Sequence, residues 1–84
     1  MLKIFRKKID KLDSKLLKIL RKRAAISSEM GEYKKSEGIP VVDDLREEKM
    51  MKKIFKKARK LDLDEDFIED VFERIIEESR RLQG

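Results

Sequence analysis

The sequence contains no histidine, no cysteine and no tryptophan, and it also lacks asparagine and threonine. Without histidine or cysteine, neither a serine–histidine nor a cysteine–histidine nucleophile pair can be built, and histidine acid–base catalysis is excluded. Zinc sites that depend on soft ligands are excluded for the same reason. We therefore predict a protein that uses no metal and no cofactor. So narrow an alphabet is typical of a thermophilic source or of a simplified sequence.

Long apolar runs and low-complexity segments are also missing. No stretch of about 18 apolar residues exists, so no transmembrane helix is expected. The first residues, 1–6, lack the apolar region of a signal peptide. We therefore expect a cytoplasmic protein with no membrane partner. The 84 residues match one small domain, which we assign to 1–84 as a whole.

Charge, by contrast, is abundant: 49% of the residues are charged and 39% are hydrophobic. This composition, with helical spacing of the apolar residues, indicates long amphipathic helices. The net charge of +5 leaves open a basic helical dimer that binds nucleic acid or a partner helix. No aromatic residues lie among the lysines to stack on bases. A solvated, lysine-rich surface without a nucleic-acid partner is therefore the favoured interpretation.

The apolar residues predict three helices, over about 2–36, 44–60 and 65–83. In the first helix they alternate in steps of four and three, which is the pattern of a heptad seam. Gly38 followed by Pro40 is a stop signal for this helix, and Asp43 or Asp44 can cap the start of the second. The seam residues of the first helix are Phe5, Ile9, Leu12, Leu16, Ile19, Ile26 and Met30.

The length of the first helix predicts a homodimer. At ~1.5 Å per residue this helix is roughly 50 Å long, whereas a compact domain of this size spans only ~30 Å. The apolar residues on the part of the helix that extends beyond the domain must therefore pack against another chain. We therefore predict an all-α, three-helix protomer in an intertwined homodimer, with the first helices packed together.

Three charged residues occupy positions in the apolar stripes: Arg23, Lys34 and Glu47. Arg23 and Lys34 lie about three turns apart on one helical face, where they could hold an anion with two separated acidic groups. Alternatively, Arg23 extends its charge to solvent and Lys34 belongs to a frayed helix end. Glu47 faces inward by its spacing, but it also stands three residues after Asp44, which is the spacing of a capping box.

The joint spacing of these residues resembles the all-helical chorismate mutases of the AroQ class over essentially the whole chain. The resemblance runs through Phe5-Arg6-Lys7-Lys8-Ile9-Asp10, Leu12-Asp13, Leu16-Leu17, Arg23, Lys34, Gly38-Ile39-Pro40, Asp43-x-x-Arg46-Glu47, Phe72-x-x-Ile75-Ile76-Glu77-x-Ser79 and Gln83. It implies an intertwined dimer that rearranges chorismate to prephenate, the branch step toward phenylalanine and tyrosine.

The resemblance also implies which residues hold the substrate and act on the reacting bond. Arg23 would bind one carboxylate of chorismate, and Arg6 would reach the other from the neighbouring protomer. Arg6 cannot join Arg23 within one straight helix, because about 26 Å of helix axis separates them. Lys34 would bond a carboxylate and the ether oxygen, and Gln83 would be the second donor to that oxygen.

On the opposite wall, Glu47 would hold the ring hydroxyl, with Asp43 beside it. These two acids favour a mutase over an isochorismate-pyruvate lyase, which shares the fold and the cations but, as the resemblance implies, lacks the acids. Arg80 stands at the pocket edge, where the resemblance implies a smaller apolar residue, so it could either add affinity for the substrate or crowd the site. The polar and apolar walls would be completed by Arg46, Ser79, Met30 and Ile76.

Overall fold

The computed structural model describes all residues, 1–84, as three helices joined by two short connections. Helix α1 spans Leu2–Glu37, α2 spans Asp44–Lys60 and α3 spans Glu65–Gln83. The predicted all-α, three-helix fold is confirmed, and no segment forms a strand. None of the three helices combines the length and apolar character needed to cross a lipid bilayer.

A left-handed glycine ends α1. Gly38 has φ 67°, a conformation that costs glycine little because it has no Cβ. Its N–H donates to the Lys35 carbonyl over 3.4 Å, and the Ile39 N–H donates to the Lys34 carbonyl over 2.8 Å. These two bonds form a Schellman motif, which satisfies the last carbonyls of the helix. Lys34 therefore lies in an ordered final turn, and the frayed end considered for it is wrong.

An aspartate begins α2, but it is not the one that a capping box requires. The Asp43 carboxylate accepts a 3.0 Å hydrogen bond from the Arg46 N–H, so the helix proper starts at Asp44. Counted from Asp43, Glu47 lies one residue too far along the helix to complete a capping box. Its carboxylate binds Arg80 of α3 instead. The capping-box interpretation of Asp44 and Glu47 is therefore wrong.

Helix α3 connects the other two helices. It packs against both α1 and α2, whereas no Cα of α1 lies within 8 Å of a Cα of α2. The buried residues lie along the two packed seams, and they are Ser27, Gly31, Ala58 and Ile68. Because α1 and α2 meet only through α3, a cleft opens between them, with α3 as its floor.

The N-terminal half of α1 extends beyond this packed region. The molecule measures 55 × 24 × 16 Å, and its radius of gyration is 15.8 Å, against about 12 Å for a compact domain of this length. Every residue from 2 to 22 is exposed. The exposed residues include the seam positions Phe5, Ile9, Leu12, Leu16 and Ile19. This half of the predicted seam therefore has no partner within its own chain.

Asp62 lies two residues after the end of α2 and provides a stability prediction. Its φ of 56° is in the left-handed region, which is unfavourable for a residue with a side chain. Its carboxylate also lies at the negative end of the helix dipole. We expect Asp62→Gly to stabilise the fold by about 0.5–1 kcal/mol, measured by urea unfolding at fixed protein concentration. Asp64→Ala is the contrasting variant. It removes the 2.9 Å cap on the Phe67 N–H and should destabilise by about 1 kcal/mol. A less stable Asp62→Gly protein would contradict the argument from backbone strain.

Candidate active site

The cleft between α1 and α2 collects most of the residues that the sequence singled out. It encloses about 260 Å³, close to the lower end of the usual range for ligand sites, roughly 300–1,000 Å³. Its size suits one compact ligand. The cleft is lined by Arg23, Ile26, Ser27, Met30, Lys34, Val41, Asp43, Arg46, Glu47, Met50, Ile76, Ser79, Arg80 and Gln83.

The charged side chains of the cleft favour an anion. Four cations and two carboxylates line it, which leaves two positive charges in excess. Clefts with one sign of charge and apolar walls concentrate ligands of the opposite sign. A small dianion is the ligand whose charge this site balances.

Lys34 is the best-defined cation of the site. Its Nζ donates a 2.9 Å hydrogen bond to the Val41 carbonyl and a 2.7 Å hydrogen bond to Gln83 Oε1. The ammonium is therefore fixed by the α1–α2 connection on one side and by the end of α3 on the other. A lysine ammonium has three N–H donors, so one donor remains available to a ligand.

Gln83 is held in place although it is the last residue of α3. Its Nε2 donates a 3.0 Å hydrogen bond to Ser79 Oγ, one turn earlier. The Ser79 hydroxyl shares a 2.9 Å hydrogen bond with the hydroxyl of Ser27 on α1. The Gly84 N–H closes the helix on the Arg80 carbonyl. A continuous series of hydrogen bonds thus runs from Ser27 of α1 through Ser79 and Gln83 of α3 and back to Lys34 of α1. Gln83 is therefore ordered rather than frayed.

Gly31 allows this end of α3 to reach α1. A Cβ placed on Gly31 would lie 2.5 Å from Gln83 Cα and 2.5 Å from Gln83 O. These neighbours are backbone atoms, so no side-chain rotation could relieve the overlap. Only a glycine at this position lets the backbone of Gln83 lie directly against α1, one turn before Lys34.

Glu47 lies on the α2 wall, where Arg80 of α3 binds it through two hydrogen bonds. Arg80 Nε donates to Glu47 Oε2 over 2.9 Å, and Arg80 Nη2 donates to Glu47 Oε1. The hydrogen bond to Glu47 raises the pKa of Arg80 above its usual value, and the carboxylates of Asp44 and Glu77 add to this effect. The Arg80 guanidinium therefore stays charged.

Arg23 and Arg46 line the cleft without a carboxylate partner, since no ion pair within the chain involves either of them. Arg23 is partly buried on α1, about three turns before Lys34. Unpaired guanidinium groups at a cleft are available for bidentate binding of a ligand carboxylate. Their arrangement agrees with a site for an acidic ligand.

Arg6 is the one predicted site residue that the chain does not bring to the cleft. It lies in the exposed half of α1, about 26 Å from Arg23 along the helix axis. No bend in α1 shortens this distance, because the helix is continuous over Leu2–Glu37. Within one chain, Arg6 is separate from the site.

Three features of the site were not foreseen: the Val41 carbonyl that fixes Lys34, the close approach at Gly31, and the pairing of Glu47 with Arg80. A backbone carbonyl in a short connection leaves no signal in the sequence. Gly31 does leave one, since it lies on the same helical face as Ser27 and Lys34. A glycine in the middle of a long helix destabilises it unless something packs closely there.

The fold and the cleft together define an all-helical protein with a binding site for a small dianion. The chain matches the protein family described as chorismate mutase type II over residues 5–84. It is 35% identical over 78 residues to the chorismate mutase of Methanocaldococcus jannaschii, covering 93% of this chain and 79% of that one. This chain therefore belongs to the chorismate mutase type II family, and the predicted resemblance is confirmed.

Other relatives contain the same unit within longer proteins. The T-protein of Enterobacter agglomerans is 39% identical over 74 residues, but the chain spans only 20% of its length. A solved structure, a conserved hypothetical protein from Pyrococcus furiosus, superposes with a TM-score of 0.76 at 30% identity and covers 99% of this chain. That structure supports the three-helix fold independently of the sequence match.

The close approach at Gly31 generates a testable prediction. Alanine normally stabilises a helix interior relative to glycine. Here the overlap with the Gln83 backbone should reverse that sign, so we expect Gly31→Ala to destabilise the protein by about 1–3 kcal/mol in urea unfolding. Gly84→Ala is the matched control, because its Cβ would meet only Arg80 O at 3.5 Å and Arg81 O at 3.9 Å, which are ordinary contacts. A Gly31→Ala protein as stable as the control would show that the two backbones are not in contact.

Proposed function

We propose that the protein is a chorismate mutase, which rearranges chorismate to prephenate without a covalent intermediate. The observation that carries this is the Lys34–Gln83 pair in a cleft with two excess positive charges, in a chain of this family. Chorismate has two carboxylates and an ether oxygen that gains negative charge as its C–O bond breaks. The rearrangement needs no nucleophile and no proton transfer, so a chain without histidine or cysteine can perform it.

The two carboxylates of the substrate would be bound at separate positions. Arg23 would bind one of them, because its guanidinium lines the cleft without a carboxylate partner of its own. Lys34 would contact a carboxylate further along α1. Two anchors hold the flexible side chain of chorismate over its ring, which supplies the proximity and orientation that the reaction needs. This binding acts on the ground state as well as the transition state, so its loss should raise KM and lower kcat.

The ether oxygen would be met by Lys34 and Gln83. Two N–H groups of Lys34 are held by Val41 and Gln83, and the third would be shared between the ether oxygen and the neighbouring carboxylate. The Gln83 amide gives one N–H to Ser79 and has a second to give to the substrate. These donors are in place before the charge develops. A preorganised donor of this kind stabilises a transition state by about 3–4 kcal/mol.

The α2 wall would recognise the ring. Glu47 would accept a hydrogen bond from the ring hydroxyl, and Asp43 lies beside it at the start of the helix. These carboxylates can accept hydrogen bonds, whereas the cations on the α1 wall can only donate them. The remaining contacts would come from Arg46 and Ser79 on the polar side and from Met30 and Ile76 on the apolar side.

The active form would be a homodimer in which Arg6 enters the partner's cleft. The exposed seam over residues 2–22 supports this, because an apolar stripe of that length is rarely left in water. Arg23 also lines a second groove between α1 and α3, which would admit a partner helix next to the cleft. An antiparallel α1 from a second copy would bring Arg6 to the Arg23 end of the site.

The proposed function is tested by following chorismate by its ultraviolet absorbance with purified protein. We expect chorismate to disappear and prephenate to accumulate in equal amounts. Pyruvate release from isochorismate, with chorismate untouched, would instead identify a lyase of the same fold.

Lys34→Ala should lower kcat about a hundred- to a thousandfold, because a preorganised charged donor to the ether oxygen is lost. Lys35→Ala is the matched control: it removes an exposed lysine next in sequence and should leave kcat unchanged. Circular dichroism of both variants checks that they stay helical. Near-normal turnover by Lys34→Ala would place the chemistry elsewhere.

The shared site is tested by mixing two inactive variants, Arg6→Ala and Arg23→Ala. In a mixed dimer, one cleft combines an intact Arg23 with an intact Arg6 from the other chain, and the second cleft lacks both. After unfolding and refolding together, the mixture should regain about a quarter of the wild-type activity, since half of the dimers are mixed and each has one complete site. A mixture as inactive as its components would show that Arg6 does not act across the interface.

A further inference from the structure

Arg80 has no part in the rearrangement proposed above, although it lines the cleft. It reaches from α3 to α2 and binds both oxygens of Glu47 through Nε and Nη2. The only other carboxylate within 4 Å of its guanidinium is Asp44, at 3.7 Å and on the exposed side. Glu47 is the less accessible partner, with a side chain 23% exposed against 39% for Arg80. The pair therefore lies at the wall of the cleft and not on the outer surface.

We propose that Arg80 is a positioning residue for the substrate's ring hydroxyl: it fixes the Glu47 carboxylate in the orientation from which Glu47 accepts that hydroxyl's hydrogen bond. This inference rests on the proposed function, because it assigns Glu47 to the hydroxyl.

The geometry of the pair leaves Glu47 able to bind substrate. An ionised carboxylate has about four acceptor positions, two on each oxygen. The planar fork of an arginine occupies one on each oxygen and leaves the other two. Arg80 therefore orients Glu47 without using up its capacity as an acceptor.

Without Arg80, the Glu47 side chain would have no fixed partner. It stands in the first turns of α2, and α2 does not contact α1 across the cleft. The nearby carboxylates of Asp43 and Asp44 would repel it, and a glutamate has three freely rotating bonds toward solvent. The arginine on α3 supplies the one contact that holds this carboxylate at the wall.

The experiment compares Arg80→Met and Arg80→Lys with wild type on two substrates, chorismate and a deoxy analogue that lacks the ring hydroxyl. Methionine keeps the length of the side chain but removes the charge and the fork, whereas lysine keeps the charge alone. We expect Arg80→Met to lower kcat/KM for chorismate about 10- to 100-fold, with Arg80→Lys between it and wild type. For the deoxy analogue, both variants should stay within about threefold of wild type, because Glu47 has nothing to bind there.

Arg81→Met is the matched control. Arg81 is the next residue on α3, and its Nε pairs with Glu78 of the same helix on the exposed face. This variant should rearrange both substrates at the wild-type rate. Thermal unfolding of all three variants separates a loss of fold from a loss of function, since a purely structural effect of Arg80 would lower the rates on both substrates alike.

Three results would overturn the assignment. An equal loss on both substrates with a raised KM would mean that Arg80 binds a substrate carboxylate directly. Faster rearrangement by Arg80→Met would mean that Arg80 competes with the substrate for Glu47. Unchanged kinetics would mean that the ion pair has no part in the site. A wild-type protein that transforms neither substrate would refute the proposed function itself, and this outcome is distinct from the other three.

Discussion

The contact between the backbone of Gln83 and Gly31 determines how the polar groups of α3 meet those of α1 in the cleft. It brings the last turn of α3 directly against α1, and in that position Gln83 Oε1 meets Lys34 and the hydroxyls of Ser79 and Ser27 meet each other. A single methyl group at residue 31 would occupy the space of the opposing backbone. Interiors packed this closely respond to the loss or gain of one carbon atom. The polar side chains of the site are thus aligned by a steric fit between two stretches of backbone.

Charge distribution follows from the way the helices are joined. No Cα of α1 lies within 8 Å of a Cα of α2, so charged side chains on one helix can face the other across an open cleft. They avoid much of the free-energy cost of removing a charge from water. The α1 wall carries Arg23 and Lys34, and the α2 wall carries Glu47 and Arg46. In the proposed function, a dianion with a hydroxyl on its ring would therefore meet cations on the α1 wall and the Glu47 acceptor on the α2 wall. The same opening between the helices that weakens the protomer's core is what makes room for a ligand.

Helical periodicity predicted much of this arrangement, and its failures have identifiable causes. The heptad seam and the Gly38 stop predicted the helices, and the spacing of Arg23 and Lys34 placed both on one face. Periodicity does not decide which face meets which across a cleft, so the partnership of Glu47 with Arg80, 33 residues away, was not foreseen. Two adjacent aspartates, Asp43 and Asp44, offered equal caps, and a shift of one residue was enough to make the capping box wrong. The position of Arg6 in a dimer depends on how a second chain packs against the first, and the fold of a single protomer does not determine that packing.

The connection between α1 and α2 is short, yet it supplies two groups to the cleft: the Val41 carbonyl that holds Lys34, and the Asp43 carboxylate that starts α2. Surface loops ordinarily tolerate changes in length and composition. In this connection, an inserted or deleted residue would move the Val41 carbonyl away from the ammonium and shift the first turn of α2 relative to α1. The length of this connection therefore affects the geometry of the cleft as directly as the identity of a lining side chain does, and the segment is a structural part of the site as well as a link between two helices.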